Sequence, residues 1–276
     1  MEWNGERGEM MGLPRSAIEA FNLERAGKFL ATISEDKEPN VVPILSLRAF
    51  DEETLVFGEL MMLKTKKNLI KGCSVCVCVV TDRLENYIAT GIFEGFERVG
   101  KYYNFISEVP LFKYNPYMGA RAAGVIKVKE VWQVERAKSK LKTLIDVFAT
   151  KFLSLREGER HLHPLIAEKF NRINAVKVLA YLERAQPIVV PTMSMRAAAA
   201  GSKLVFGISS TEIYGLKAGE RVAASVLTMD ATAYQVKGVY EGEERTLLGR
   251  VGVINVSEAY TLTPPRPGEK VPLTLH

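Results

Sequence analysis

The chain writes one strand twice: "NVVPILSLRA" runs from Asn40 to Ala49, and "IVVPTMSMRA" from Ile188 to Ala197. Pro43 and Pro191 stand 148 residues apart, and so do Arg48 and Arg196. A repeat decides the architecture, so it is settled before single elements are assigned. Outward from this stretch the match continues. "LVFG" occurs at Leu55–Gly58 and again at Leu204–Gly207. "ATGIFEGFE" (Ala89–Glu97) pairs with "VKGVYEGEE" (Val236–Glu244), and "AGVIKVKEVWQV" (Ala123–Val134) with "VGVINVSEAYTL" (Val251–Leu262). Upstream, "IEAFNLERAGKFLATI" has its partner in "AEKFNRINAVKVLAYL". The offset drifts from 149 to 128, mainly because copy one carries an insertion, "RVGKYYNFISEVPLFKYNPYMGA", that copy two lacks.

Each copy opens on a helix and continues in five or six short, β-branched, glycine-punctuated strands, the pattern of a small antiparallel barrel. Between the copies, "AKSKLKTLIDVFATKFLSL" places Leu141, Leu144, Ile145, Phe148 and Phe152 at helical spacing. Pro164 opens the next helix. The fold expected is mainly β with flanking helices, α+β in class: two tandem barrels joined by a helical linker. Copy one covers 14–136, the linker 137–163, and copy two 164–276 with a proline-rich tail that reads as extended. A homodimer fused into one chain, with a pseudo-two-fold axis between halves, explains the repeat.

The 276 residues are 47% apolar and 25% charged, ordinary for a globular protein with a substantial core. No apolar run approaches the roughly 18 residues of a membrane span. The start, "MEWNGERGEMMGLPR", lacks the basic and apolar regions of a signal peptide, so a cytoplasmic protein is expected. A net charge of +5 suits phosphate-bearing ligands but is not the dense basic field of a nucleic-acid protein. Neither a nucleic-acid nor a membrane partner is expected.

Cys73, Cys76 and Cys78 lie in "CSVCVCVV". Strand alternation puts Cys76 and Cys78 on one apolar face, which favours buried small hydrophobes over a redox or metal pair. His161 and His163 in "RHLHP" make a poor two-ligand site, and no metal is expected. No Ser–His–Asp or Cys–His arrangement is supported, and no G-x-G-x-x-G signature of a tightly held dinucleotide occurs.

"LMMLKTKKNLIKG" (Leu60–Gly72) follows the strand "TLVFG" directly. Its lysines and a threonine hydroxyl fall at the start of a short helix, where free N–H groups and partial positive charge favour a phosphate. A solvated basic helix end is the alternative.

With "FLATISEDKEPNVVPILSLRA", "LKTKKNL", "YIATGIFEGFE" and "ARAAGVIKV" in this order, the chain resembles the FMN-binding split β-barrel proteins of the pyridoxamine 5'-phosphate oxidase-like superfamily. It looks nearest to the small FMN-binding and flavin reductase-like members. The likeness runs over about Asn22 to Val134 and more loosely over copy two. In that family two barrels pair, and FMN lies in the groove between them. The resemblance implies that Pro43, Ile44, Leu45 and Ser46 run beside the flavin, that Gly58 lets the backbone approach it, and that Leu63, Lys64, Thr65 and Lys66 hold the phosphate. Arg48 reaches the phosphate or is an ordinary surface arginine, and Tyr117 and Arg121 close the groove from the side.

Copy two has "ISSTEIYGLKAG" where copy one has the lysines, and Glu212 there disfavours a phosphate dianion. One FMN site per chain, built on copy one, is therefore expected. The tail lacks the arginine- and histidine-containing segment of the true oxidases, so pyridoxal phosphate synthesis is not expected. The implied function is FMN binding in an oxidoreductase that uses NAD(P)H or another small redox substrate, with no catalytic side chain named. Deazaflavin F420 or heme in place of FMN, a non-catalytic electron-transfer protein or scaffold, and a further homodimer of the fused pair are the alternatives left standing.

Overall fold

The computed structural model describes residues 12–83, 85–114, 119–134, 140–151, 160–247, 249–264 and 266–275. The first sheet is built from β1 (Gly27–Ile33), β2 (Pro39–Pro43), β3 (Arg48–Ala49), β4 (Thr54–Gly58), β5 (Ser74–Val80), β6 (Asn86–Glu97) and β7 (Ala123–Gln133). Helix α1 (Arg15–Asn22) precedes it, α2 (Lys64–Asn68) follows β4, and α3 (Lys101–Ser107) and α4 (Pro110–Lys113) form the insertion. Then come α5 (Lys140–Lys151), β8 (Arg160–His161) and α6 (Pro164–Asn171). The second sheet uses β9 (Val176–Glu183), β10 (Gln186–Pro191), β11 (Arg196–Ala198), β12 (Lys203–Gly207), β13 (Arg221–Leu227), β14 (Ala233–Thr246) and β15 (Gly249–Thr261). Short β16 (Lys270–Val271) extends it beside β15, and β17 (Thr274–Leu275) pairs with β8.

The two sheets share one strand order, β2-β1-β5-β6-β7-β4-β3 and β10-β9-β13-β14-β15-β12-β11, seven strands in each path where the sequence suggested five or six. Even their irregularities agree. The β6–β7 ladder shifts register at Thr90/Gly91 and Phe93/Gly95, and β14–β15 does so at Lys237/Gly238 and Tyr240/Gly242. Such bulges bend a sheet and let it curl. A Cβ on Gly91 would lie 2.5 Å from the Lys127 carbonyl oxygen, and one on Gly238 2.2 Å from that of Asn255. Only glycine allows this approach. Curling brings the ends of each sheet together: β2 and β3 stand at opposite edges of the strand order, yet only Ile44–Leu47 separate them, as Thr192–Met195 separate β10 and β11. The fold is a split β-barrel present twice.

Side-chain alternation divides the core. On β5, Val75, Val77 and Val79 point into the first barrel with Leu30, Phe57 and Phe93. Cys76, Cys78 and Val80 point the other way, into a core shared with Val178, Ala180, Val189 and Ala223 of the second barrel. The cysteines therefore pack in the barrel–barrel interface, and burial pushes the Cys78 thiol well up. The insertion folds over β4, with Ile106, Val109 and Phe112 against Val56 and Ala123. No helix among the described residues is long and apolar enough to cross a membrane.

Helix α5 departs from its sequence pattern. Leu141 and Leu144 are 68% and 53% exposed, while Asp146, Ala149 and Thr150 are buried. Its apolar stripe faces outward and its polar face inward.

Polar contacts pin the interface. Glu38, in the β1–β2 turn, receives Arg221 Nε at 2.9 Å and Lys237 Nζ at 2.8 Å from the other barrel. Burial pushes the Glu38 carboxyl up, but the hydrogen bonds from Lys237 and Arg221 outweigh it and hold the group below its ordinary value. A depressed carboxyl stabilises the fold above its unfolded value and ceases to do so as pH falls through the folded one. Glu38→Ala should cost about 2 kcal/mol in urea unfolding at pH 7, since Lys237 is left buried without its partner. The difference from the parent protein should vanish in acid. An equal difference at both pH values would show that the ion pairs are not its source.

Candidate functional site

Where the two barrels meet beside α2 they enclose a groove of about 280 Å³, close to the lower end of small-molecule sites. One wall is copy one: Asn40 and Val42–Ser46 from β2 and its following turn, Gly58, and Leu60–Thr65 leading into α2. Leu111 of α4 joins that wall, so the insertion borders the groove. The opposite wall is copy two: Leu227, Ala231, Ala233, Gln235, Tyr260 and Leu262. The tail closes one side with Pro264, Pro267 and Gly268. Most of this lining is apolar, with polar groups gathered at the α2 end.

The polar end is wired across the barrels. Gln235 Nε2 donates to Asn40 Oδ1 at 3.2 Å and to the Val41 carbonyl at 2.8 Å. Asn40 Nδ2 donates to Thr32 Oγ1 and to Thr65 Oγ1. Asn68 Nδ2 donates to the same Thr32 oxygen, so α2 is fixed at both of its buried residues. Thr65 Oγ1 enters this network as an acceptor. Lys64 reaches across the groove and places Nζ 3.6 Å from the centroid of the Tyr260 ring. Burial, with the like charge of Lys237 behind it, pulls the Lys64 amine down to about 8. Burial also pushes the Tyr260 phenol up, as does its hydrogen bond to Glu258, 2.7 Å away.

The structure brings together Pro43, Ile44, Leu45, Ser46, Gly58, Leu63, Lys64 and Thr65 of the residues read from sequence. Three others stand elsewhere. Arg48 is neither a groove cation nor a surface arginine: it is 4% exposed and bonds Glu24 at 2.8 Å. Its Nη1 also donates to the carbonyls of Leu45 and Leu47, which braces the groove strand from behind. Lys66 is ion-paired with buried Glu59 and turned toward Phe96. Arg121 is exposed and meets Glu59 through its backbone N–H. Tyr117 lies outside the described residues. Helix α2 has five residues, too short for much macrodipole, so the positive charge at this end rests on Lys64. Missed from sequence were Gln235, Tyr260 and the tail prolines. The end of copy two's β14–β15 ladder faces the segment between β4 and α2 across the pseudo-two-fold, and that symmetry was the usable signal.

Neither the protein-family models nor the curated proteins contain a match. Solved structures do match. HupZ of Group A Streptococcus is similar at 22% identity over 45% of this chain and 94% of its own, with a TM-score of 0.38. An FMN-binding protein from Syntrophomonas wolfei subsp. wolfei is similar at 19% identity over 43% and 84%, also with a TM-score of 0.38. An F420 reductase is similar at 16% over 43% and 95%, with a TM-score of 0.33. Each of these three spans less than half of this chain.

Lys64 is cationic below about pH 8 and neutral above it, so the groove attracts an anion most strongly on the acid side of that value. NMR titration of the reductively ¹³C-methylated protein should show a lysine resonance moving near pH 8 that Lys64→Arg removes. If no lysine resonance that depends on Lys64 moves below pH 10, the groove does not bury this amine.

Proposed function

We propose that the chain binds FMN in the inter-barrel groove and acts as a flavin-dependent oxidoreductase. On this reading the barrels of 14–136 and 164–276, joined through the linker 137–163, form one functional unit. The observation that carries it is the polarity of the groove: an apolar slot between two barrels that ends at Lys64 and Thr65. That arrangement fits a flat apolar ring system bearing an anionic tail. Val42, Ile44, Leu60 and Met62 from copy one and Leu227 and Leu262 from copy two would sandwich the rings. A Cβ on Gly58 would collide with the Phe112 ring, at 2.4 Å, so that wall is backbone and closely packed. Lys64 Nζ and the Thr65 hydroxyl would hold the phosphate by charge-assisted hydrogen bonds. Arg48 and Lys66 are committed to Glu24 and Glu59, so they act by shaping the wall.

Bound flavin would supply hydride or electron transfer, and the protein's part is placement and electrostatics. A small reductant of the NAD(P)H class would dock transiently against the open side, since no dinucleotide motif is present. A deazaflavin would use the same slot and the same anion end, and the visible spectrum separates the two.

Purified or reconstituted protein should absorb near ~370 and ~450 nm, as protein-bound oxidised flavin does, and release about one FMN per chain. Lys64→Ala should weaken FMN binding about tenfold or more, the scale of one charge-assisted hydrogen bond. Lys66→Ala should change it by much less. Equal losses would place the phosphate between the two lysines, and failure to take up FMN at all would defeat the reading.

A further inference from the structure

Charged residues of one copy have counterparts in the other, and one of them has lost its partner. In copy one Arg48 sits near buried Lys28, and its Nη2 donates to Glu24 Oε1 at 2.8 Å. The Glu24 side chain is 53% exposed, so its carboxylate meets the guanidinium from the solvent side. Copy two repeats the scaffold. Asn171 Oδ1 accepts the Ala197 N–H as Asn22 Oδ1 accepts the Ala49 N–H, which sets Arg196 where Arg48 stands. Lys177 takes the place of Lys28. In the place of Glu24 is Ile173, which is 74% exposed.

We infer that Arg196 and Lys177 form a binding site for a small carboxylate from outside the chain. Arg196 is half-buried, yet among the described residues its guanidinium makes no hydrogen bond and no ion pair. Five N–H donors held partly out of water without an acceptor are costly, and a site of this kind calls for one. In copy one Arg48 also takes the Leu45 carbonyl, whereas in copy two Lys177 takes the equivalent carbonyl of Met193. Buried Lys177 thus adds a second positive charge and uses up the acceptor that Arg196 could have had. Burial pulls the Arg196 guanidinium down, and no carboxylate is near enough to offset this. The acids at the end of α6 are taken: Glu168 and Asp230 face Arg172 and Lys169. The class of ligand follows from copy one, where the same pair of cations is met by one carboxylate, that of Glu24. A monoanion of that size fits the place that Ile173 leaves open. This does not depend on the flavin reading, which concerns other residues.

The test is NMR of the full-length chain, read at the arginine Nε–H resonances. Acetate should move the Arg196 resonance to saturation at millimolar concentration, while Arg48, already held by Glu24, stays in place. Chloride at equal ionic strength should leave both unmoved. Ile173→Glu should rebuild the ion pair of copy one. It should abolish the acetate response and raise the melting temperature by about 2 °C, the scale of one partly exposed ion pair in a chain of this size. An Arg196 resonance indifferent to acetate, equal movement of Arg196 and Arg48, or a stronger response to inorganic phosphate overturns the inference. An acetate response that survives in Ile173→Glu overturns it equally. If Ile173→Glu does not fold, the unaltered protein still decides: Arg196→Lys identifies the resonance, and acetate against chloride gives the answer.

Discussion

The structure depends on one packing constraint: each barrel has a strand set whose outer face is as apolar as its inner face. On β5 the valines enter the barrel, and Cys76, Cys78 and Val80 leave it. Val178, Ala180 and Ala223, on the matching strands of the other copy, belong to the same core. At roughly 25 cal/mol per Å² of apolar surface, water on such a face is strongly disfavoured. Neither copy could expose it alone, so fusion places the complementary surface on the same chain and removes the entropic cost of finding it. The groove is a by-product of this union. It opens where the shared core ends, and its two walls come from different copies.

Much of this was legible in the sequence, for identifiable reasons. The repeat at Pro43 and Pro191 announced two equivalent barrels, and alternation in "CSVCVCVV" announced a strand buried on both faces. The resemblance carried by "LKTKKNL", rather than local chemistry, put Lys64 and Thr65 at the groove that they line. Arg48 was not legible. Its place is set by Glu24 and by the carbonyls of Leu45 and Leu47, a local knot that no spacing rule predicts. Gln235 and Tyr260 were hidden because they contact the site across the pseudo-two-fold, some 195 residues from Asn40 in the case of Gln235. The outward stripe of α5 inverts the ordinary amphipathic rule: spacing fixes the helix, but not which face turns inward when a buried carboxylate competes for that face.

Burial of cations recurs in both copies. Lys28 on β1 and Lys177 on β9 are nearly inaccessible, and each has an arginine close by in its own copy, Arg48 and Arg196. Burial first, and the arginine second, pulls Lys28 to about 7 and Lys177 to about 8. Lys177 Nζ donates to the Met193 carbonyl, and the position equivalent to Met193 in copy one is Leu45, whose carbonyl Arg48 takes. The same turn is thus held from behind in both barrels, by the lysine in one and the arginine in the other. The groove walls are rigid on their far side whichever cation does the holding.

The two copies then differ where it matters, in the charge carried after β4 and after β12. Copy one presents Lys64 beside a hydroxyl, a cation that is itself half-buried and drawn to about 8. Such a group gains from an external anion, because the anion restores the charged form that burial disfavours. Copy two replaces the lysines with serine and threonine donors and adds Glu212, which gives hydrogen bonds but no positive charge. Asp146 of α5 packs beside that segment and accepts from the Ser210 N–H and hydroxyl. One sequence written twice therefore yields one post-strand segment that carries a cation, at Lys64, and one, 208–214, that carries none. The divergence lies in a few side chains after β4 and β12, while the barrels around them stay the same.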